Sequence, residues 1–212
     1  MTRRAILGAV TRQQVVALIA LAAACCLLGG CVKVQKKIVV QASPETVAPQ
    51  IAGARWSQTA LPVHYCLDPD NGFESADVLE QLLDKAFSAW GVPTHSDGIC
   101  SGPVSTDNRR NEISWAPLSQ PGSEISEAGK TSLRYRIPQA GTAQIVEADI
   151  EIDNNAPGER RNQECLYTTI LHETGHFLGL HHLEGGTIMA PVVTECIQDL
   201  TPSDRAALSA LY

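Results

Sequence analysis

The residues from 172 to 182 carry the side chains best suited to chemistry, in the order His-Glu-Thr-Gly-His-Phe-Leu-Gly-Leu-His-His. His172 and His176 lie four positions apart, so a helix places both imidazoles on one face, where they can bind one Zn²⁺ at about 2.0–2.1 Å. Gly179 permits a sharp turn, which brings His182 back as a third ligand and leaves the fourth coordination position open. The spacing therefore predicts a catalytic zinc site.

Glu173 is the next residue along the same helix. It lies too close in angle to His172 to be a further ligand from that face, and we expect it to act as a general base on a zinc-bound water. His181 is a weaker candidate for the third ligand, because it points elsewhere around the turn. The alternative is a helix with incidental surface histidines. Four of the six histidines fall within these eleven residues, which favours the metal site.

The elements that must position this segment follow from apolar periodicity. Strands are predicted over residues 61–67, 112–115, 132–137 and 144–152, the last two as a hairpin through 138–141. A helix is predicted over residues 77–90, ended by Gly91 and Pro93. Thr201 and Asp204 form a capping box around Pro202, which predicts a last helix. This order indicates an α+β domain with a twisted sheet.

The length and charge of the chain limit the number of domains and the kind of partner that it can bind. A chain of 212 residues suits one domain, here residues 55–212, with an appendage. Without residues 1–30, the chain has 13 basic and 23 acidic residues, a formal charge of −10. Binding of phosphate groups needs clustered Lys and Arg, and the sequence shows no such cluster. Nucleic acid is therefore not expected as a partner.

The first 30 residues have the pattern of a targeting signal: arginines at 3, 4 and 12 precede an apolar run too short to span a membrane. The run ends Leu28-Gly29-Gly30-Cys31, which resembles the lipobox of bacterial lipoproteins. That resemblance implies cleavage before Cys31, lipidation of Cys31 and anchoring to a bacterial membrane at its periplasmic face or the cell surface. An ordinary secretory signal is the alternative. Residues 31–54 are then the lipidated cysteine and a flexible tether, unless 38–40 form an edge strand.

The motif H-E-x-x-H-x-x-G-x-x-H is the metzincin signature, and Thr187–Pro191 resembles the Met-turn that follows it in that class. With the strand at 61–67, the 77–90 helix, Ala148–Ile152 and the C-terminal segment from Leu200, residues 55–212 resemble the matrixins, the matrix-metalloprotease-like peptidases. The resemblance implies a zincin-like α+β fold with a mixed sheet, a packed helix, a zinc-binding helix, a Met-turn and a C-terminal helix.

For function, the resemblance implies a zinc-dependent endopeptidase acting on protein or peptide substrates. Met189 would form an apolar floor beneath the imidazoles. The substrate would lie extended along an edge strand, and Pro191, Val192, Val193 and Thr194 would line the pocket for the side chain after the cleaved bond. Two alternatives stay open: a non-catalytic zinc-binding envelope lipoprotein, and a zinc hydrolase of cell-wall peptides. The sequence gives no indication of the oligomeric state.

The expected cofactor is one catalytic zinc ion. Animal matrixins carry a second, structural zinc, but here only His64 and His95 lie outside the active-site segment, so that metal is not expected. Calcium is undecided: Asp149, Asp153, Asn154 and Asn155 supply oxygens, but they form no recognisable loop.

Four cysteines, Cys66, Cys100, Cys165 and Cys196, remain after Cys31 and the two in the signal segment. An even number in an exported domain predicts two disulfides, with three arrangements open. The favoured pairs are Cys66–Cys100 across the first helix and Cys165–Cys196 between the zinc helix and the segment after the Met-turn. A cysteine-rich metal site is the alternative, although no C-x-x-C motif is present.

Overall fold

A computed structural model describes residues 53–119, 127–138, 142–192 and 195–212 of the chain. The predicted signal segment, Cys31 and all but the last two residues of the predicted tether lie outside the described residues, as do Val193 and Thr194. No helix among the described residues is both long and apolar enough to cross a membrane.

The sheet has five strands in the order β2-β1-β3-β5-β4. The strands are β1 (Val63–Asp68), β2 (Thr94–Ile99), β3 (Glu112–Ala116), β4 (Gly129–Arg136) and β5 (Gln144–Asp153). Pairing is parallel from β2 through β1 and β3 to β5, and only β4 runs antiparallel, as the first strand of a hairpin with β5. The predicted mixed sheet and the hairpin are confirmed.

Three α-helices accompany the sheet: α1 (Ala76–Trp90), α2 (Gln163–Phe177) and α3 (Pro202–Leu211). Short 3₁₀ turns lie at Gln58–Ala60 and Gly158–Arg160. The predicted first helix, the predicted zinc helix and the predicted last helix are all present. The α+β class expected from the element order is therefore confirmed.

Helix α1 is fixed at both ends by its sequence. Ser75 accepts a hydrogen bond from the amide of Val78 at the N-terminus, and Gly91 adopts the left-handed conformation, with φ 76°, at the C-terminus. The buried face of α1 packs on β1 and α2: the ring centroid of Phe87 lies 5.2 Å from that of Tyr65 and 5.2 Å from that of Phe177. This aromatic contact joins the sheet and two helices into one core.

Helix α2 is buried on all sides from Leu166 to its end at Phe177. Asn162 caps its N-terminus by accepting from the amide of Cys165. After the helix, Gly179 has φ 97°, and a Cβ at this position would overlap the carbonyl oxygen of Ala54. Glycine is therefore required twice here, for the turn and for the close approach of another segment.

The segment before β1 closes the domain against the C-terminal helix. The Arg55 guanidinium donates to the carbonyl of Leu211 at 2.9 Å, and the Trp56 indole donates to the carbonyl of Phe177 at 2.9 Å. The Tyr212 hydroxyl donates to the carbonyl of Leu178 at 3.0 Å. The bonds from Trp56 and Tyr212 hold the C-terminal end of α2, which carries the histidine motif, in place from two segments of the chain.

Two disulfides are present, Cys66–Cys100 and Cys165–Cys196. They are the pairs favoured from the sequence. The first joins β1 to the residue after β2, and the second joins the start of α2 to the chain beyond Met189.

Strand β2 is the element that the sequence did not predict. Its residues alternate between half-buried and exposed positions and none is buried, so the apolar period that marks a strand is missing. The inward side chain of Ser96 donates a hydrogen bond to Glu80 on α1 at 2.6 Å. A polar contact therefore takes the place of apolar packing in this strand.

Candidate metal centre and active site

Helix α2 and the turn after it bring three imidazoles together. His172 and His176 lie one turn apart on α2, with ring centroids 4.7 Å apart, and Gly179 returns the chain so that the His182 ring lies 5.4 Å and 4.8 Å from them. One nitrogen from each ring lies within 4.8 Å of the other two. His172 and His176 are buried, whereas His182 is exposed. The exposed His181 does not belong to this group.

Backbone carbonyls fix the tautomers of the two buried rings. The Nδ1 of His172 lies 2.6 Å from the carbonyl oxygen of Ile188, and the Nδ1 of His176 lies 2.7 Å from that of Leu180. A carbonyl only accepts, so each Nδ1 carries the proton and donates it. Each Nε2 is then unprotonated, and its lone pair faces the centre of the cluster.

The two Nε2 atoms lie 3.1 Å apart. Two lone pairs facing each other at this distance repel unless a cation lies between them. Burial also lowers the pKa of His172 to about 4 and that of His176 well below its ordinary value, so both rings are neutral at pH 7. Neutral imidazoles with preset Nε2 donors are the form that ligates zinc, and Zn–N bonds of about 2.0–2.1 Å suit this separation. The donor set therefore fits a zinc ion.

Glu173 is fully buried beside the histidines. Its Oε2 accepts a hydrogen bond of 2.6 Å from the Thr131 hydroxyl, while Oε1 is buried and has no hydrogen-bond partner among the described residues. Burial raises the pKa of Glu173 to about 8, and the bond from Thr131 opposes that rise. A buried carboxylate with one oxygen held and one unpartnered is suited to exchange protons.

Strand β4 passes directly over Glu173. A Cβ added at Gly129 would lie 2.7 Å from Cγ and 2.8 Å from Oε1 of Glu173, so only glycine lets the strand approach this closely. Thr131, two residues further along β4, supplies the hydroxyl that holds Oε2. The sequence placed neither residue in the site, because the contact depends on where β4 lies relative to α2.

The segment around Met189 packs against helix α2, which carries two of the histidines. A Cβ at Gly175 would overlap the Met189 sulfur and would lie 2.8 Å from the Trp90 ring, so the small residue in the motif makes room for both. The Trp90 indole donates to the Leu171 carbonyl and to the Thr174 hydroxyl. Met189 is fully buried in contact with α2, and its role as an apolar floor beneath the imidazoles stays a prediction.

Asp204 holds the segment around Met189 in place. The sequence predicts only its role in the capping box. Asp204 is fully buried, and it accepts from the backbone amides of Ile188 and Met189 at 3.1 and 3.2 Å as well as from Thr201. The predicted capping box is confirmed, but the same carboxylate also holds the peptide whose carbonyl orients His172. A pattern of four residues could not show that second role.

A pocket lies along the N-terminal half of α2. Leu166, Thr168 and Thr169 line it from the helix, together with Glu195 and Cys196 from the chain beyond Met189. Pro191 and Val192 are not among its lining residues. The predicted substrate pocket over residues 191–194 therefore stays a prediction.

Three of the four residues considered for calcium, Asp149, Asp153 and Asn155, form side-chain hydrogen bonds within the protein. Asp149 accepts from the amide of Glu112, and the Oδ1 of Asp153 accepts from three amides, including that of Asn155. Neither carboxylate belongs to a group of three or more His, Cys, Asp or Glu donors in the described part of the chain. Calcium binding has no support here.

The mixed five-stranded sheet, the buried helix with its histidine pair and the glycine turn to a third histidine define a zincin-like peptidase architecture. The sequence profile of the matrixin family matches residues 55–212, and the chain belongs to that family of zinc-dependent metalloproteases. No curated protein matches the chain.

Proposed function

We propose that this protein is a zinc endopeptidase in which His172, His176 and His182 hold the metal and Glu173 is the general base. The observation that carries the proposal is the convergence of the bare Nε2 atoms next to a buried carboxylate with one unpartnered oxygen. A structural zinc site would not need that carboxylate, since four closed ligands are its usual form.

When bound, zinc would polarise the scissile carbonyl, lower the pKa of a water molecule and favour the ionised form of Glu173. Glu173 takes a proton from the attacking water at Oε1, the oxygen that has no hydrogen-bond partner in the described part of the chain. Thr131 keeps Oε2 in place during that transfer. Glu173 then gives the proton to the nitrogen of the leaving amine, so that the carboxylate is restored.

The substrate is proposed to bind as an extended strand beside β4. This strand is the last in the sheet order, so one of its edges has no strand partner among the described residues, and it passes over Glu173. An added strand at a sheet edge gains main-chain hydrogen bonds that do not depend on sequence, and pockets for alternate side chains then provide selectivity.

The cellular location belongs to the same proposal. A lipid on Cys31 would tether the peptidase domain to a bacterial membrane, and two or more acyl chains suffice for stable anchoring. The Cys31→Ala variant should then be uncleaved or lost from the membrane fraction. Unchanged processing and attachment of that variant would contradict the assignment of a lipobox.

The activity is tested by assaying purified, zinc-loaded protein on casein and on peptidoglycan fragments. Cleavage of casein that stops on chelation and returns with zinc supports the endopeptidase. Cleavage of the peptidoglycan fragments alone would assign the same site to cell-wall peptides. No cleavage of either substrate by metal-loaded protein would overturn an enzymatic role.

A further inference from the structure

A second group of metal-ligating side chains lies on the sheet, at the pair of strands β1 and β2. It consists of His64 on β1 with His95 and Asp97 on β2, and we refer to it as the strand-pair cluster. The three side chains are 56 %, 60 % and 51 % exposed, respectively. The cluster is separate from the histidine motif and plays no part in the proposed peptidase reaction.

The pleat and the strand register present these side chains on one face. His64 and His95 are direct partners in the parallel pair, and His95 and Asp97 are two positions apart, so all three point to the same side. The intervening Ser96 points the other way, since its hydroxyl bonds to Glu80 on α1. The cluster therefore occupies the face of the sheet that α1 does not cover.

The distances are those of a preassembled ligand set. One donor atom of each side chain lies within 4.8 Å of the other two. The Nδ1 of His64 donates to Asp97 at 2.8 Å, the Nε2 of His95 lies 3.9 Å from the same carboxylate oxygen, and the ring centroids are 4.9 Å apart. Exposed side chains can close the remaining gap by small rotamer changes without moving the backbone.

Two imidazoles and one carboxylate are ligands that suit divalent zinc and its late first-row neighbours, rather than calcium or magnesium. We propose that the strand-pair cluster binds one divalent transition-metal cation, with His64, His95 and Asp97 as its ligands and water completing the coordination. The ion joins an edge strand to its neighbour, so its binding stabilises the edge of the sheet.

The expectation of a single zinc rested on too few histidines outside the active-site segment. It did not include Asp97, because β2 was not predicted from the sequence.

The catalytic site and the strand-pair cluster differ in metal affinity and in location. The exposed cluster exchanges its ion readily, so that this ion is lost on dialysis, whereas the buried histidines retain their zinc. The cluster lies at the β2 edge, and Glu173 lies below β4 at the opposite edge of the five-stranded order.

The test uses the full chain with its catalytic zinc already loaded, titrated with further Zn²⁺ in an isothermal calorimeter. One additional equivalent is expected. Replacement of even an outer-shell partner lowers metal affinity by about 10–100-fold. The His64→Ala and His95→Ala variants should therefore each weaken the added equivalent by at least about tenfold. Asp97→Asn should weaken it as well, because the ligand charge is lost. Casein cleavage by these variants should match the wild type, which separates this proposal from the peptidase proposal.

Two matched controls identify the site. His181→Ala removes another exposed histidine and Asp70→Asn another exposed aspartate, and both should retain the added equivalent at wild-type affinity. The proposal is overturned if the loaded wild type takes up no second ion below about 1 mM, a free energy of only about −4 kcal/mol. It is also overturned if the second ion persists in His64→Ala and disappears in His181→Ala, which would place it at the active site.

Discussion

At the scale of single residues, the arrangement around Glu173 explains how a carboxylate can be both buried and reactive. The oxygen bonded to Thr131 is fixed, and the other is left for a proton. The histidine motif could be read from the sequence, because its ligands lie within eleven residues and a helix fixes their spacing. Thr131 could not, since it lies 42 residues before Glu173 and only the position of β4 makes the contact.

Replacement of Thr131 by Val tests this positioning role. The variant keeps the shape and loses the hydroxyl, and a hydrogen bond to a charged group contributes about 1.5–3 kcal/mol, so kcat should fall about 10–100-fold. The bond from Thr131 lowers the pKa of Glu173, so its loss should raise that pKa and move the acidic limb of the pH–kcat/KM profile to higher pH.

Thr131→Ser is the matched control, because it retains the hydroxyl and should keep most of the activity with the wild-type pH profile. A Thr131→Val enzyme with unchanged kcat and an unchanged acidic limb would show that Glu173 does not depend on Thr131.

At the scale of elements, the segment 187–190 and helix α3 behave as one unit through Asp204. The capping box was predictable because Thr201, Pro202 and Asp204 are close in sequence. Asp204 accepts from Ile188, 16 residues before it, and the carbonyl of Ile188 orients His172, a further 16 residues before. Both contacts depend on tertiary packing. Strand β2 could not be predicted from the sequence for a related reason. Its inward contact, from Ser96 to Glu80, is polar, so its residues show no apolar alternation.

The Asp204→Asn variant should weaken this unit. The Asn side chain has only one carbonyl oxygen, so it cannot accept from the amides of both Ile188 and Met189 as the two carboxylate oxygens do. Each buried donor left unsatisfied costs about 1–3 kcal/mol. We therefore expect a loss of about 1–3 kcal/mol in the free energy of unfolding, measured by denaturant titration, together with a lower zinc affinity.

Asp199→Asn provides the comparison, since Asp199 is exposed, five residues before Asp204 and outside this network. It should leave both quantities near wild type. Equal stability of the Asp204→Asn and Asp199→Asn proteins would contradict the proposed link between α3 and the metal centre.

At the scale of the whole molecule, the domain carries a buried acidic group away from the active site. Glu112, Glu147 and Asp149 are buried near one another around β3 and β5. Arg110 pairs with Glu112 at 2.5 Å, and Arg134 lies 3.4 Å from Glu147. Burial is the main cause that raises the pKa of Asp149 to about 7, and the neighbouring carboxylates raise it further.

This group predicts a pH dependence of stability. The folded pKa of Asp149 is above its unfolded value of about 3.9, so between about pH 4 and pH 7 the folded state binds more protons than the unfolded state. The contribution of Asp149 to the free energy of unfolding therefore decreases as pH rises through that window and is unfavourable above it.

The Asp149→Asn variant should remove this component, because Asn is neutral at every pH and its carbonyl oxygen can still accept from the amide of Glu112. Thermal unfolding measured from pH 4 to pH 8 should show a smaller decline than in the wild type, while the exposed Asp77→Asn control should follow the wild type. A wild-type slope in the Asp149→Asn protein would refute the assignment.

In the proposed active site, three histidines hold zinc and Glu173 performs the proton transfer without binding the metal. The most direct test of this arrangement is the Glu173→Gln variant, with casein turnover and zinc content measured on the same preparation. We expect zinc bound at wild-type stoichiometry in the histidine site and a loss of turnover on the order of 10²–10⁴, as is usual for a general base. Near-wild-type turnover, or loss of the zinc together with the activity, would contradict it.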